Sequence, residues 1–215
     1  MAQNDSLSLY GGNESYSLIW GGSLGYSIDD VDCSNTGLRV ILLGLLNIVV
    51  YDVFTNTIVY KCHINSSFFT SFDLSSTGHL MVAAANDSII RVFNESTQYD
   101  ADNTCLNPIY QISGLPEDQI VISDDGLFVY YFDTTEKTFK IHHLNSTEFV
   151  EHPPIANSCG TAAHDFSVTS DSKYLAIIWK TCLNVDVYAL DSTLSEYSLQ
   201  QTITTPTQAR GLDWD

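Results

Sequence analysis

The feature that most constrains this chain is a repeat. Four stretches share one order: a strand-like segment, a hydroxyl residue, a polar turn, then an apolar run. The hydroxyl residues are Ser34, Ser75, Ser123 and Thr169. The turns close three residues later, at Gly37, Gly78, Gly126 and Ser172. Successive closing positions are 41, 48 and 46 residues apart. A Ser or Thr hydroxyl at such a corner can bond turn amides, and Gly relieves the backbone where the turn ends. The run that follows (Arg39–Leu43, Leu80–Ala83, Phe128–Tyr131, Tyr174–Ile178) suits a strand covered on both faces.

A second landmark follows each turn: apolar residues two apart, then a ring. The ring positions are Tyr51, Phe93, His142 and Tyr188, which lie 14, 15, 16 and 16 residues past the closing position. Alternation of this kind marks a strand. A period of about 40–50 residues with four strands per unit indicates a β-propeller.

On these residues the chain resembles the WD40-type β-propellers. Tyr51-Asp52, Phe93-Asn94, His142-His143 and Tyr188-Ala189 stand where that family carries Trp-Asp, and the turns match its Ser-Pro-Asp-Gly corner. The resemblance implies an all-β fold of four-stranded antiparallel blades in a single domain over 1–215. Complete blades are expected at 28–66, 69–113, 118–152 and 164–203. A partial blade over 6–22 carries a further ring motif ending at Tyr10, with its outer strand at Ser15–Trp20. A last blade begins at 210–215. Three closures stay open: a composite blade made from both ends, a longer propeller of which this is a part, or completion by a second chain. The rings at Tyr10, Tyr51, Phe93 and Tyr188 are expected to pack between blades. Gly11-Gly12 and Gly21-Gly22 read as turns between strands, and 95–107 as a polar surface loop.

Charge narrows the partners. The sequence has 8 Lys and Arg against 26 Asp and Glu, a formal net charge of −18. That balance opposes binding to a nucleic-acid backbone or an anionic membrane surface, and it permits a basic protein partner. The first residues have no basic segment followed by an apolar one, so an intracellular, cytoplasmic setting is the first expectation. Five cysteines without a CxxC pair read as reduced, mostly buried thiols. Six Asn-x-Ser/Thr sequons, at Asn4, Asn13, Asn65, Asn86, Asn94 and Asn145, keep a secreted or cell-surface setting as the alternative, with Asn65 and Asn145 as its glycosylation candidates.

Chemistry is sparse. His142 and His143 are adjacent in a strand, so they point to opposite faces and cannot chelate together. His63, His79, His152 and His164 show no ligand spacing. There is no Gly-x-Ser-x-Gly elbow, and Asp124-Asp125-Gly126 is ordinary turn chemistry. No catalytic, metal or cofactor residue is therefore expected. The resemblance implies a non-catalytic scaffold for protein–protein interaction inside a larger assembly. Family geometry would set its face at the start of each inner strand, around Tyr26, Phe69, Asp118, His164 and Arg210. A propeller binding glycan, ligand or protein at the cell surface is the alternative, and a propeller enzyme with a site at the channel mouth the third.

Overall fold

Each of the four turns joins two antiparallel strands, and each pair grows into a four-stranded antiparallel sheet. The computed structural model describes residues 6–11, 17–23, 28–44, 46–55, 57–64, 67–94, 108–145, 148–155, 162–191, 193, 196–205, 207 and 211–212, with backbone alone for 6–23, 117–118 and 145. The first sheet runs β3 (Asp30–Cys33), β4 (Arg39–Gly44), β5 (Asn47–Asp52) and β6 (Thr57–His63). The second runs β7 (Phe69–Leu74), β8 (Leu80–Ala85), β9 (Ile89–Asn94) and β10 (Tyr110–Ser113). The third runs β11 (Pro116–Ile122), β12 (Phe128–Asp133), β13 (Thr138–Asn145) and β14 (Glu148–Glu151). The fourth runs β15 (Ala163–Val168), β16 (Tyr174–Trp179), β17 (Asn184–Leu190) and β18 (Tyr197–Thr204). Sequence order is spatial order in all four. A fifth, two-stranded sheet pairs β1 (Ser6–Gly11) with β2 (Ser17–Ser23). There is no helix among the described residues. The sheets stand as the blades of a propeller-like fold.

The turn chemistry explains the hairpins. In each, the hydroxyl accepts the amide five residues on: Arg39 to Ser34 at 3.1 Å, Leu80 to Ser75 at 3.1 Å, Phe128 to Ser123 at 2.9 Å, Tyr174 to Thr169 at 3.0 Å. The closing positions share a left-handed backbone, with φ of 68°, 72° and 76° at Gly37, Gly78 and Gly126, and 58° at Ser172. The fourth copy takes the glycine conformation without the glycine.

Burial follows the strand period. On β8, Met81, Ala83 and Ala85 pack toward the first sheet with Ile41, Ile48 and Phe93. Val82 and Ala84 pack toward the third with Ile120, Val129 and Tyr131. Both faces of the strand are thus covered, which is why the run after the turn is continuously apolar. Between the third and fourth sheets the filling is aromatic: Phe128, Tyr130, Phe132, Phe139, Phe166 and Trp179.

Two expectations are corrected here. Gly21 and Gly22 lie inside β2, opposite Ser8 and Leu7, and Gly11 ends β1, because the pairing continues through the glycines. The outer strand therefore runs on to Ser23, past the expected end at Trp20, and residues 15 and 16 lie outside the described residues. Cys62 and Cys182 are disulfide-bonded, not reduced thiols, while Cys33 is free and exposed. Spacing along the chain says nothing of which sulfurs the folded strands bring together. The polar segment 95–107 lies outside the described residues.

Candidate interaction surfaces

The inner strands of neighbouring sheets run side by side, and side chains tie them. Ser71 Oγ accepts the Ile120 amide at 3.0 Å, and Asp73 Oδ2 accepts the Ile122 amide at 2.8 Å. Gln119 Nε2 donates to the Phe166 carbonyl at 3.2 Å. Asp165 Oδ2 accepts the Leu212 amide at 2.8 Å. Ser71, Gln119 and Asp165 each stand four residues before their turn hydroxyl. Ser71 and Gln119 bind the backbone of the next inner strand and Asp165 binds the backbone at Leu212, so edges that would otherwise be open to foreign strands are capped from within. The amide of Leu212 takes the position that Ile120 takes two sheets earlier.

The expected face at the start of the inner strands is only partly described. Tyr26 and Arg210 lie outside the described residues, and the side chain of Asp118 is not described. Phe69 is 5% exposed and its ring belongs to the core between the first two sheets. His164 is exposed. It sits at a register shift between Ala163 and Asp165, where the strand bulges. The equivalent shift in β7 falls at Thr70, between Phe69 and Ser71, and one in β11 falls between Pro116 and Ile120. A bulge re-aims the side chain it carries. By register the rim positions are thus Thr70, Asp118 and His164, one residue on from Phe69.

The opposite face carries the turns, and these are locked together. The Thr36 amide donates to the Ser76 carbonyl at 3.2 Å, and the Ser76 amide donates to the Asp124 carbonyl at 3.0 Å. Asn35 Nδ2 adds a bond to Asp124 Oδ1 at 2.8 Å. On this frame the residue after each closing position is exposed: Leu38, His79, Leu127 and Lys173. The β5–β6 turn lies against the first of them, since the Val53 amide donates to the Leu38 carbonyl at 3.0 Å. It is braced by the Thr55 amide on Asp52 Oδ1 at 2.7 Å and by the Arg39–Asp52 ion pair. These hydrogen bonds, the Thr55 amide first, hold the Asp52 carboxyl below its usual range. The braced turn presents Phe54 at 87% exposure beside Leu38 at 48%. The motifs of the repeat do not reach Phe54, because it lies in a turn outside both landmarks; an aromatic ring in a polar turn was the available signal.

Titratable groups inside the sheets serve packing. Burial lowers the His142 imidazole to about 4. The ring stacks on Tyr131, whose hydroxyl lies 3.2 Å from Nε2. Asp73 is pushed above the ordinary carboxylate range, first by burial and further by the Asp32 carboxyl beside it, against the pull of the Ile122 amide. Among the described residues several cations are held by carboxylates: Arg39 by Asp52, Arg91 by Asp87, Lys140 by Glu136 and Glu151, and Lys173 by Asp171. Among the described residues no three His, Cys, Asp or Glu side chains are grouped as metal ligands would be.

No protein-family model and no curated protein matches the chain. Among solved structures it is similar to a functionally unknown protein from Desulfotomaculum acetoxidans, with a TM-score of 0.70 and 15% identity over 94% of this chain and 64% of that one. A protein from Lactobacillus plantarum gives 0.63 and 14% over 96% and 67%. A protein from Bacteroides fragilis, described as a candidate 6-phosphogluconolactonase, gives 0.65 and 13% over 95% and 66%. The chain thus spans about two thirds of the length of these structures. Identity at this level shows the shared fold and does not select an activity.

Proposed function

We propose that this chain is a non-catalytic docking module, a WD40-like propeller scaffold whose contacts are with other proteins in a larger assembly. The observation that carries the reading is Phe54, fully displayed beside Leu38 on a turn braced by an ion pair and tied into a hydrogen-bonded face. A lone exposed Leu needs no explanation, whereas an aromatic ring held rigidly in water is the kind of anchor that interfaces use. The test replaces Phe54 by a photoreactive benzoylphenylalanine in the native host. Adducts to a small set of proteins are expected from position 54. None are expected from position 137, which is exposed at the other end of the sheets. Equal or absent labelling from the two positions would overturn the reading.

A second reading, a secreted or cell-surface propeller, is favoured by the disulfides at Cys62 and Cys182, since such bonds persist in oxidising compartments. Asn86, exposed and within a sequon, joins Asn65 and Asn145 as a glycan acceptor on this reading. Peptide mapping of native protein without reductant decides: disulfide-linked Cys62 and Cys182 with hexosamine on these Asn support it, and free thiols with bare Asn favour the cytoplasm. The name given to the Bacteroides fragilis protein supplies a third reading, lactone hydrolysis. Turnover of 6-phosphogluconolactone by the purified chain would replace the scaffold reading.

A further inference from the structure

Between the third and fourth sheets, on the side away from the axis, lies a groove of about 450 Å³. Pro153 and Pro154, leaving β14, form one wall, and Glu196 and Tyr197 at the start of β18 form the other. Its floor is β17. Asn184, Asp186 and Tyr188 alternate with Val185 and Val187, so the first three share the face that opens into the groove. The volume suits one or two side chains of a ligand rather than a flat protein surface.

Asp186 gives the floor its chemistry. It is 3% exposed, and both carboxylate oxygens are fixed: Trp179 Nε1 donates to Oδ2 at 2.8 Å and Thr202 Oγ1 donates to Oδ1 at 2.7 Å. A carboxylate oxygen has lone pairs for more than one donor, so each retains acceptor capacity toward the groove. Glu196 adds a second, exposed carboxylate, and among the described residues no Lys, Arg or His lines the space. Rings and prolines beside two acids match an aliphatic stem that ends in a planar cation.

We infer that this groove takes an arginine side chain presented by an extended segment of a partner protein, its guanidinium at Asp186, its stem against Tyr188 and the two prolines, and the carboxylate of Glu196 at the other end of the groove adding to the negative field. The inference deepens the docking reading by naming a contact and its chemistry. It uses a different surface from the Phe54 turn, so the two can fail separately.

The probe is the capped pentapeptide acetyl-Gly-Ser-Arg-Ser-Gly-amide, titrated into isotope-labelled protein while the indole N–H signal of Trp179 is followed. Binding is expected with a dissociation constant on the order of 10⁻⁴ M, with the Trp179 signal moving. A peptide with neutral citrulline in place of arginine should bind at least about tenfold more weakly. Glu196→Lys, at an exposed site, should remove binding and leave the remaining spectrum in place. Equal affinity for the two peptides, an unmoved Trp179 signal, or unchanged binding by Glu196→Lys would each overturn the inference. Equal competition by spermidine would show that the groove reads charge alone, and the peptide assignment would fall. Loss of peptide binding with Phe54 adducts intact removes only the groove; peptide binding without adducts removes only the turn face.

Discussion

The first two sheets and the last two solve the same packing problem with different side chains. Between the first and second, small and aliphatic side chains, Ala83 and Ala85 of β8 with Ile41, Leu43, Ile48 and Val50, share the space with the rings of Tyr60, Phe69, Phe72 and Phe93. Between the third and fourth the filling is aromatic and carries polar handles. Tyr130 and Tyr197 meet hydroxyl to hydroxyl at 2.9 Å, and Tyr197 also donates to the Ser172 carbonyl. Trp179 is tied through Asp186 to Thr202. Aliphatic packing needs only volume. Aromatic packing with polar atoms needs each donor matched, so it tolerates replacement less well.

The contrast is sharpest at Trp179. It is fully buried, and its indole holds a buried carboxylate. Trp179→Ala is expected to cost about 3–5 kcal/mol through cavity formation, and Asp186 also loses a donor. Urea unfolding measures this, and a loss comparable to that of an ordinary surface substitution would show that the fourth sheet is not specifically packed. At the first junction, around the alanines of β8, the sensitive change is enlargement. Ala83→Leu is expected to cost about 1–3 kcal/mol by overpacking. A neutral result there would mean that the first two sheets have room to spare and that the comparison is one of looseness rather than chemistry.

The pairs of sheets also differ in their response to pH. Asp73, at the first junction, binds its proton more tightly when folded than when unfolded. Its contribution is therefore full below the ordinary carboxylate value of about 4 and is lost as pH rises through the elevated folded value. His142, in the third sheet, does the reverse. Its folded value of about 4 lies below the unfolded one. Folding stability is thus lost as pH falls from about 6.5 toward 4, where the unfolded chain takes up the proton first. Asp73→Asn keeps an oxygen for the Ile122 amide and removes the charge facing Asp32. It should raise stability by about 1–2 kcal/mol near pH 8 and leave it unchanged near pH 4. His142→Gln should flatten the acid limb only. Melting curves across that range test both. A gain from Asp73→Asn that is equal at both ends would show that the carboxyl pair is not the cause.

Much of the frame was legible because it is local. A hydroxyl three residues before a left-handed position fixes a turn through bonds within six residues, and an uninterrupted apolar run means cover on both faces. What was not legible depends on neighbours distant in sequence. Cys62 and Cys182 look like any scattered cysteines until the fold brings each to a disulfide. Phe69 looked like a rim residue and lies in the core, because the bulge places the next residue, Thr70, at the rim position. The bond between Trp179 and Asp186 joins two adjacent strands, yet Trp179 lies just past the apolar run and Asp186 at a variable position within the fourth ring motif, so the repeat marks neither. The groove above them exists only where the segment leaving the third sheet meets the fourth.

The smallest effect returns to the repeat itself. Three closing positions are Gly, and the fourth is Ser172 at φ 58°. A side chain there meets the steric penalty of the left-handed region, about 1 kcal/mol. Its hydroxyl oxygen is also buried without a hydrogen-bond partner, which the glycine copies avoid. Ser172→Gly removes both costs and gives back part of the gain as unfolded-chain entropy. A net stabilisation of about 0.5–1 kcal/mol is expected, read as a rise in urea midpoint at constant slope. The carbonyl that Tyr197 uses is untouched by the change, so the aromatic junction stays intact. The contrasting substitution is Gly78→Ala, where a new Cβ would lie 2.6 Å from Arg39 Cβ of the first sheet. That change should destabilise by more than Gly37→Ala, whose Cβ would meet nothing within 4 Å. If Ser172→Gly instead destabilises, the fourth turn is held by contacts of the serine side chain, and it is not a copy of the other three.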